Sequence, residues 1–380
     1  MFTRGAQRWV KNRKQVSLLG WGMGMGIFFS DYFSTLLVGP VMRNLTDKYR
    51  ISREKLAYIC DSTSAPLVAL MPITGWAVYS SGLAIGHAGI GNTEEAMDLF
   101  IRSVPYNFYS FLAILLVLLI ALRVVPDFGP MRTAERRAEL EGKVLRDGAV
   151  PMMSKELTDL EASDSKNTNL VLNFFFPVLV IITTNLGSFF LTGRPIVMES
   201  FLLASTLLGT LMWFQKVDDL RGLVNTAYAG MKGVIPAVVI LALAYCINTL
   251  SQDMGTAAYV VGVTRGWMTP NLIPVLAFTM SAFISFATGS AYGTYAIMVP
   301  IVVPLAYQFG DQQVGTLVYS SFGAVLGGGV FGDHCSPLSD TTVLSSMGSA
   351  CDHIDHVKTQ LPYALAGGAV ALLAYVIVGA

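Results

Sequence analysis

The chain has 380 residues and a formal net charge of zero, and it is 53% hydrophobic but only 13% charged. A soluble domain carries about 25% charged residues, so this composition excludes a soluble globular protein. The balanced charge also gives no basis for nucleic-acid binding. A mean hydropathy of +0.56 instead predicts an integral membrane protein whose main partner is the lipid bilayer.

Apolar runs of roughly 20 residues predict the membrane spans. In chain order the candidates are 15–42, 56–80, 105–125, 170–192, 196–214, 234–252, 271–309, 315–332 and 357–379. Glycine and proline interrupt several of these runs. We therefore predict an all-α membrane protein of the cell (inner) membrane, a polytopic helical bundle of about nine to ten spans with broken helices and an inverted-repeat architecture.

One long hydrophilic stretch, residues 126–169, separates two apolar parts. We predict a cytoplasmic linker with a surface helix there, a partial first transporter repeat in 1–125 and a second repeat in 170–380. The loop 43–55 is rich in lysine and arginine, which predicts a cytoplasmic location, whereas the acidic loop 81–104 is predicted to lie outside. Basic residues flank the first span on both sides, so the side of the N-terminus stays open.

The strongest functional signal is a pair of aspartates, Asp333 and Asp340, in a glycine- and hydroxyl-rich segment between apolar spans. An ionised carboxylate at membrane depth is costly, which makes both a functional-site hypothesis. A proline between them predicts a helix break, which frees carbonyl oxygens. Oxygen ligands suit a hard cation, so we predict a sodium site here, with hydroxyls from Ser336 and Thr341. The structural alternative is that an aspartate caps a half-helix.

Two further acids lie in predicted spans of the first part of the chain. Asp31 follows a glycine-rich run, and Asp61 precedes three hydroxyl residues and Pro66. One buried acid can hold either a proton or a sodium ion, and competition between the two is an exchange mechanism. We predict that both acids bind cations or protons. For the hydroxyls next to Asp61, stabilising an unwound backbone is an equally good explanation.

The predicted span 271–309 is interrupted by a small-residue tip. Its candidate substrate-binding residues are Thr288, Gly289, Ser290, Gly293 and Thr294. Half-helix ends at such a tip can meet a cation or an anionic group, although small residues also permit close helix packing. Three histidines follow nearby, and the polar run Cys351–Lys358, which holds two of them, is predicted to be a loop.

A weak internal repeat relates the two parts of the chain. Phe29–Ser34 and Phe331–Ser336 share a Phe-x-Asp-x-x-Ser pattern after a glycine-rich run, which pairs Asp31 with Asp333. The interrupted segment upstream of the second copy has no counterpart before the first. We therefore expect a chain that lacks the front of the first repeat.

These motifs resemble those of the NhaC family of sodium/proton antiporters, within the wider ion-transporter superfamily. The resemblance runs from near residue 17 to the C-terminus, and its most specific part is Gly332-Asp-His-Cys-Ser-Pro-Leu-Ser-Asp-Thr-Thr342. It implies exchange of sodium for protons, or sodium- or proton-coupled exchange of an organic acid such as malate or lactate. Family members are usually longer at the N-terminus.

Three functions are therefore considered. The first is a secondary transporter that exchanges sodium for protons through the intramembrane aspartates, without a cofactor other than the transported ions. The second is an organic-acid exchanger that uses the 288–294 tip, and the third is a truncated remnant that does not transport. No phosphate-binding loop or nucleophile motif indicates an enzyme. The solute, the stoichiometry, the proton-carrying aspartate and a homo-oligomeric state are left open.

Overall fold

The computed structural model describes residues 10–152, 169, 171–192, 196–254 and 269–379. Within those ranges the chain is built from helices and contains no strand; one isolated bridge pairs Pro151 with Asp352. The predicted all-α fold class is thereby confirmed. The C-terminal part of the predicted linker, residues 153–168, lies outside the described residues.

The N-terminal part of the chain forms mostly short helices. They are α1 Arg13–Gly26, α2 Asp31–Lys48, α3 Arg53–Ser62, α4 Ala65–Val68, α5 Gly75–Gly82, α6 Thr93–Ser103, α7 Phe108–Ala121 and α8 Gly129–Glu141. Most begin after a residue whose side-chain oxygen accepts a backbone N–H of the first turn, which satisfies one of the open donors there. These caps are Asn12, Ser30, Ser52, Thr74, Asn92 and Asn107.

The C-terminal part contains the longer helices. They are α9 Phe176–Thr192, which follows a π-helical turn Val171–Phe175, then α10 Val197–Phe214, α11 Leu220–Asp253, α12 Ile273–Thr288, α13 Ala291–Phe309, α14 Thr316–Cys335, α15 Asp340–Gly348 and α16 His353–Gly379. The run predicted to be a loop, Cys351–Lys358, mostly forms the first turns of α16, so that prediction is wrong.

Several described helices can cross a membrane by length and composition. Four segments qualify, and a fifth results if α6 and α7, which meet at a bend of 48°, count as one span; the four are Val171–Thr192, Pro270–Thr288, Ala291–Phe309 and His353–Gly379. The predicted span 15–42 is split into α1 and α2, and 56–80 into three pieces. The predicted loop 81–104 contains α6, which buries an apolar stripe. The count of nine to ten spans stays a prediction.

Two half-helices, α2 and α15, touch through their backbones. A Cβ atom added to Gly39 would lie 2.5 Å from the carbonyl carbon of Gly348, and one added to Gly348 would lie 2.6 Å from the carbonyl oxygen of Thr35. Both glycines are therefore required by the close approach. The crossing joins the middle of α2 to the end of α15.

The main hydrophobic core joins residues from both predicted repeats. It contains Trp76, Phe100 and Tyr109 from the first part of the chain together with Tyr295 and Phe322 from the second. The helices α12 and α14 also bond directly, since the Ser285 hydroxyl donates to the carbonyl oxygen of Gly329 at 2.7 Å. This core holds the breaks between helices in place.

A layer of ion pairs closes one end of the bundle. Arg53 binds both carboxylate oxygens of Asp47 at 2.6 Å and donates to the carbonyl oxygens of Ser349 and Ala350. The linker helix α8 contributes Arg137, which binds Glu54 at 2.8 Å, and Glu135, which binds Arg13 at 2.6 Å. Arg53 thus ties the end of α2 to the end of α15.

Replacing Arg53 by alanine is expected to destabilise the protein by about 3 kcal/mol or more, because it removes four donated hydrogen bonds and leaves a partly buried Asp47 without its partner. Thermal unfolding of the detergent-solubilised protein measures this. Lys48→Ala, at an exposed position in the last turn of α2, serves as the control and is expected to shift stability by less than about 0.5 kcal/mol. Equal melting temperatures for the two variants would contradict the role of Arg53.

Candidate functional site

The first turn of α15 contacts each of the predicted acids or a direct neighbour of it. Three consecutive residues, Asp340, Thr341 and Thr342, each make a different contact. The helix begins there because the predicted break is present: α14 ends at Cys335, and the hydroxyl of Ser339 accepts the backbone N–H of Thr342. This turn therefore brings residues from distant parts of the sequence to one place.

Asp340 and Asp31 form an acid pair. The hydroxyl of Tyr32, the residue that follows Asp31, donates to Asp340, which brings the starts of α2 and α15 together. Asp31 is buried and accepts the indole N–H of Trp76 at 3.2 Å. Each acid is the first helical residue after a serine cap, where the helix dipole favours a negative charge.

Asp333 is linked to Asp340 through a single residue. The Thr341 hydroxyl donates to Asp333 at 3.0 Å, while the backbone N–H of Thr341 donates to Asp340 at 2.8 Å. Asp333 is 2% exposed in the last turn of α14, and the charges of Asp340 and Asp61 both act on it. Asp333 and Asp340 are therefore joined through Thr341 at the start of α15.

Asp61 lies in a second environment that is rich in donors. Its Oδ2 atom accepts the Gln360 amide at 2.6 Å and the Thr342 hydroxyl at 3.2 Å, and the Nε2 atom of His356 is 3.4 Å away. His334 lies 4.0 Å from the same oxygen and bonds Tyr109 through its other ring nitrogen. Among the described residues, the Oδ2 atom of Asp61 thus accepts two hydrogen bonds from side chains, whereas its buried Oδ1 atom accepts none.

Other predicted hydroxyls satisfy the backbone. Ser336 donates to the carbonyl oxygen of Phe286 at 2.8 Å and accepts the N–H of Leu338, so it joins the break after α14 to the end of α12. Thr63 and Ser64 occupy the predicted break after Asp61 and bond carbonyl oxygens of α3. The structure does not bring these hydroxyls to the acids.

The tip between α12 and α13 is likewise bonded mostly to itself. Thr288 and Thr294 donate to carbonyl oxygens of Ile284 and Ser290, and Ser290 caps α13 by accepting the N–H of Gly293. Gly289 has a φ of +68° and sits against Leu338. The first turn of α13 nevertheless approaches the acid pair, because the ring of Tyr292 lies 4.9 Å from that of Trp76.

The predicted pairing of Asp31 with Asp333 in the repeat stays a prediction, and the two residues differ in their positions in the helices. Asp31 follows the cap Ser30 and starts a half-helix, and so does Asp340 after Ser339, whereas Asp333 lies near the end of α14. By position in the helix, the residue that corresponds to Asp31 is Asp340, because each is the first residue after a serine cap.

Sequence reasoning missed Gln360 and did not connect His356 with Asp61. Gln360 and His356 both face Asp61 from α16. Their spacing of four residues at the start of an apolar span places them on one helix face, and that was the available signal. Tyr32 and Trp76 were missed as well, because nothing local to them indicates that they meet an acid.

The donor set fits a hard monovalent cation better than a transition metal. Among the described residues, no three histidine, cysteine, aspartate or glutamate side chains are close enough to hold a metal ion. Carboxylate and hydroxyl oxygens dominate the start of α15, and such oxygens are the ligands that hard cations prefer.

Comparison with known proteins agrees with this geometry. A model of the Na+/H+ antiporter family matches residues 67–380. An uncharacterised protein of Haemophilus influenzae is 31% identical over 404 aligned residues, which cover 100% of this chain and 74% of that protein. An arginine/ornithine antiporter of Halobacterium salinarum is 30% identical over 168 residues, or 44% of this chain and 33% of its own.

A malate-2H(+)/Na(+)-lactate antiporter of Bacillus subtilis is 24% identical over 159 residues, covering 42% of this chain. The chain thus spans about a third of the length of each of these two named antiporters, 33% in both cases. No solved structure matches the chain. The broken helices, the buried acids and a family match over most of the sequence lead to one conclusion: this integral, multi-pass membrane protein belongs to the Na+/H+ antiporter family.

Proposed function

We propose that the protein exchanges sodium ions for protons at the three carboxylates around the start of α15. The observation that carries this proposal is what the first turn of α15 contacts: Asp340 is bonded to Tyr32, the residue next to Asp31, and Thr341 is bonded to Asp333. Like charges held together in a medium of low dielectric constant need compensation. A proton or a sodium ion can each provide it, and the two compete for the same oxygens.

Asp61 takes a different role in this proposal. Its donors, Gln360 and Thr342, and the adjacent His356 supply compensation from the protein itself. A carboxylate that is hydrogen-bonded in this way has less need of an external cation. We therefore assign cation and proton exchange to Asp31, Asp340 and Asp333, and we assign to Asp61 a fixed charge beside them.

The experiment is sodium-driven proton flux in proteoliposomes that contain the purified protein. A sodium gradient is imposed, and the internal pH is followed with a trapped fluorescent dye. An inward sodium gradient that makes the interior alkaline, and an outward gradient that makes it acidic, support the proposal. Potassium in place of sodium is the control for ion selectivity.

An organic-acid exchanger is the alternative, and its support is the similarity to the malate-2H(+)/Na(+)-lactate antiporter. The tip hydroxyls proposed to hold a carboxylate, Thr288 and Thr294, bond their own helices instead. The same proteoliposomes with malate inside and lactate outside test it. Flux that requires these acids, with none from sodium alone, would replace the first proposal with the second.

Thr341→Val is expected to reduce sodium-driven flux by roughly tenfold, because a hydrogen bond to a charged group contributes about 1.5–3 kcal/mol and Asp333 loses one. Valine keeps the shape of threonine, so the fold is retained. Thr46→Val is the matched control, since Thr46 is also buried but donates only to the carbonyl oxygen of Arg43. Equal flux in the two variants would count against a role for the Thr341 hydroxyl.

A further inference from the structure

We propose that Gln360 is a positioning residue that ties Asp61 to the end of α14 and so joins the two broken regions of the protein. The proposal deepens the sodium–proton exchange proposed above, and only its transport readout rests on that function. The side chain is 1% exposed and comes from α16, a helix that is separate from the breaks after α3 and α14.

The geometry of the amide is unambiguous. The Nε2 atom of Gln360 donates to Oδ2 of Asp61 at 2.6 Å and to the carbonyl oxygen of His334, also at 2.6 Å. Both partners are acceptors only, so the nitrogen and not the oxygen of the amide must face them. The two N–H groups of one amide are thus divided between two helices.

Each acceptor belongs to the last turn of a helix that ends at a break. Asp61 precedes the break after α3, and His334 precedes the break after α14. The carbonyl groups in a last helical turn lack intrahelical donors, and a buried carbonyl without a partner is costly. Gln360 supplies that donor at His334 and simultaneously fixes the carboxylate of Asp61.

A consequence is that the two helix ends are expected to loosen together when the amide is lost. The test is hydrogen–deuterium exchange of the full chain in detergent, comparing the peptides that cover 59–64 and 331–336. In Gln360→Leu we expect exchange in both peptides to be faster by at least about threefold. The matched control is Thr359→Val, a buried neighbour on α16 whose hydroxyl bonds only the His356 carbonyl oxygen.

A transport readout separates positioning from mere packing. In proteoliposomes, Gln360→Leu is expected to lower the maximal sodium-driven rate by about tenfold, the value of one hydrogen bond to a charge, while the sodium concentration for half-maximal rate changes less than about threefold. The maximal rate is expected to change more than the half-maximal sodium concentration because Gln360 touches neither Asp31 nor Asp340. Should Gln360→Leu fail to fold, Gln360→Glu keeps the side-chain volume and offers at most one donor, and the same loosening is expected of it.

Hydrogen–deuterium exchange that is unchanged in Gln360→Leu, or faster in only one of the two peptides, would refute the proposed link between the two helix ends. So would the same effect in Thr359→Val. Because hydrogen–deuterium exchange needs no transport, a wild-type protein that moves no sodium would refute the proposed function while leaving the result for Gln360 readable.

Discussion

Replacing Asp340 by asparagine is expected to abolish sodium-driven proton exchange, by at least about 100-fold, while the protein remains folded. Asparagine has the same shape: its oxygen can accept the N–H of Thr341, and its NH2 group can donate to the hydroxyl oxygen of Tyr32. The negative charge is lost, and with it one partner of any bound cation. Loss of an interaction with a charged group costs about 1.5–3 kcal/mol, and a 100-fold lower rate corresponds to about 2.8 kcal/mol, at the upper end of that range.

The measurement is initial flux in proteoliposomes, normalised to the amount of reconstituted protein, together with the melting temperature. Asp311→Asn is the control, because Asp311 is exposed and has a φ of 54°, a conformation that asparagine tolerates. Flux in Asp340→Asn above half of the wild-type value would refute the assignment of Asp340 to the exchange site.

Asp31→Asn extends this test. If Asp31 and Asp340 form one site, each single variant removes most of the activity and the double variant is little worse than either one. Independent sites would instead give losses that multiply. The comparison of the two single variants with the double variant therefore measures whether the acids act as a pair.

The second large effect is expected from Gly289→Ala. Gly289 has a φ of +68°, where a side chain is strained, and an added Cβ would lie 2.7 Å from the carbonyl carbon, carbonyl oxygen and Cβ of Leu338. Backbone strain and overpacking each cost about 1–3 kcal/mol. The tip would be pushed off the break between α14 and α15, so we expect both a lower melting temperature and a loss of most exchange activity.

Gly187→Ala is the control for Gly289→Ala. Gly187 lies in α9 with no atom near the position of an added Cβ, so alanine there is expected to be neutral or stabilising by up to about 1 kcal/mol. A Gly289→Ala protein as stable and as active as this control would mean that the tip does not need to contact Leu338.

The positions of the breaks could be predicted from sequence because their causes are local. Pro66, five residues after Asp61, and Pro337, three residues before Asp340, favour breaks in the helix, and the structure has breaks there. The cost of a charge in a membrane likewise identified the aspartates as candidates without any knowledge of the fold.

The partners of those acids could not be predicted in the same way, because they come from distant segments. Gln360 lies 299 positions from Asp61, and Tyr32 lies 308 from Asp340. The charged start of α16 was predicted as a loop for a related reason. Its polar residues are compensated by buried contacts, such as that of His356 with Asp61, that no local pattern reveals.

The contact between Gly39 and Gly348 limits how the site can move. With no side chains between them, the backbones of α2 and α15 are already as close as they can be, and drawing them apart would open a void in the interior. Asp31 and Asp340 sit at the starts of these two helices, so a motion that exposes them to alternate sides of the membrane has to carry both together. Opening and closing should therefore occur at the outer boundary of this helix pair and leave the distance between the two carboxylates nearly constant.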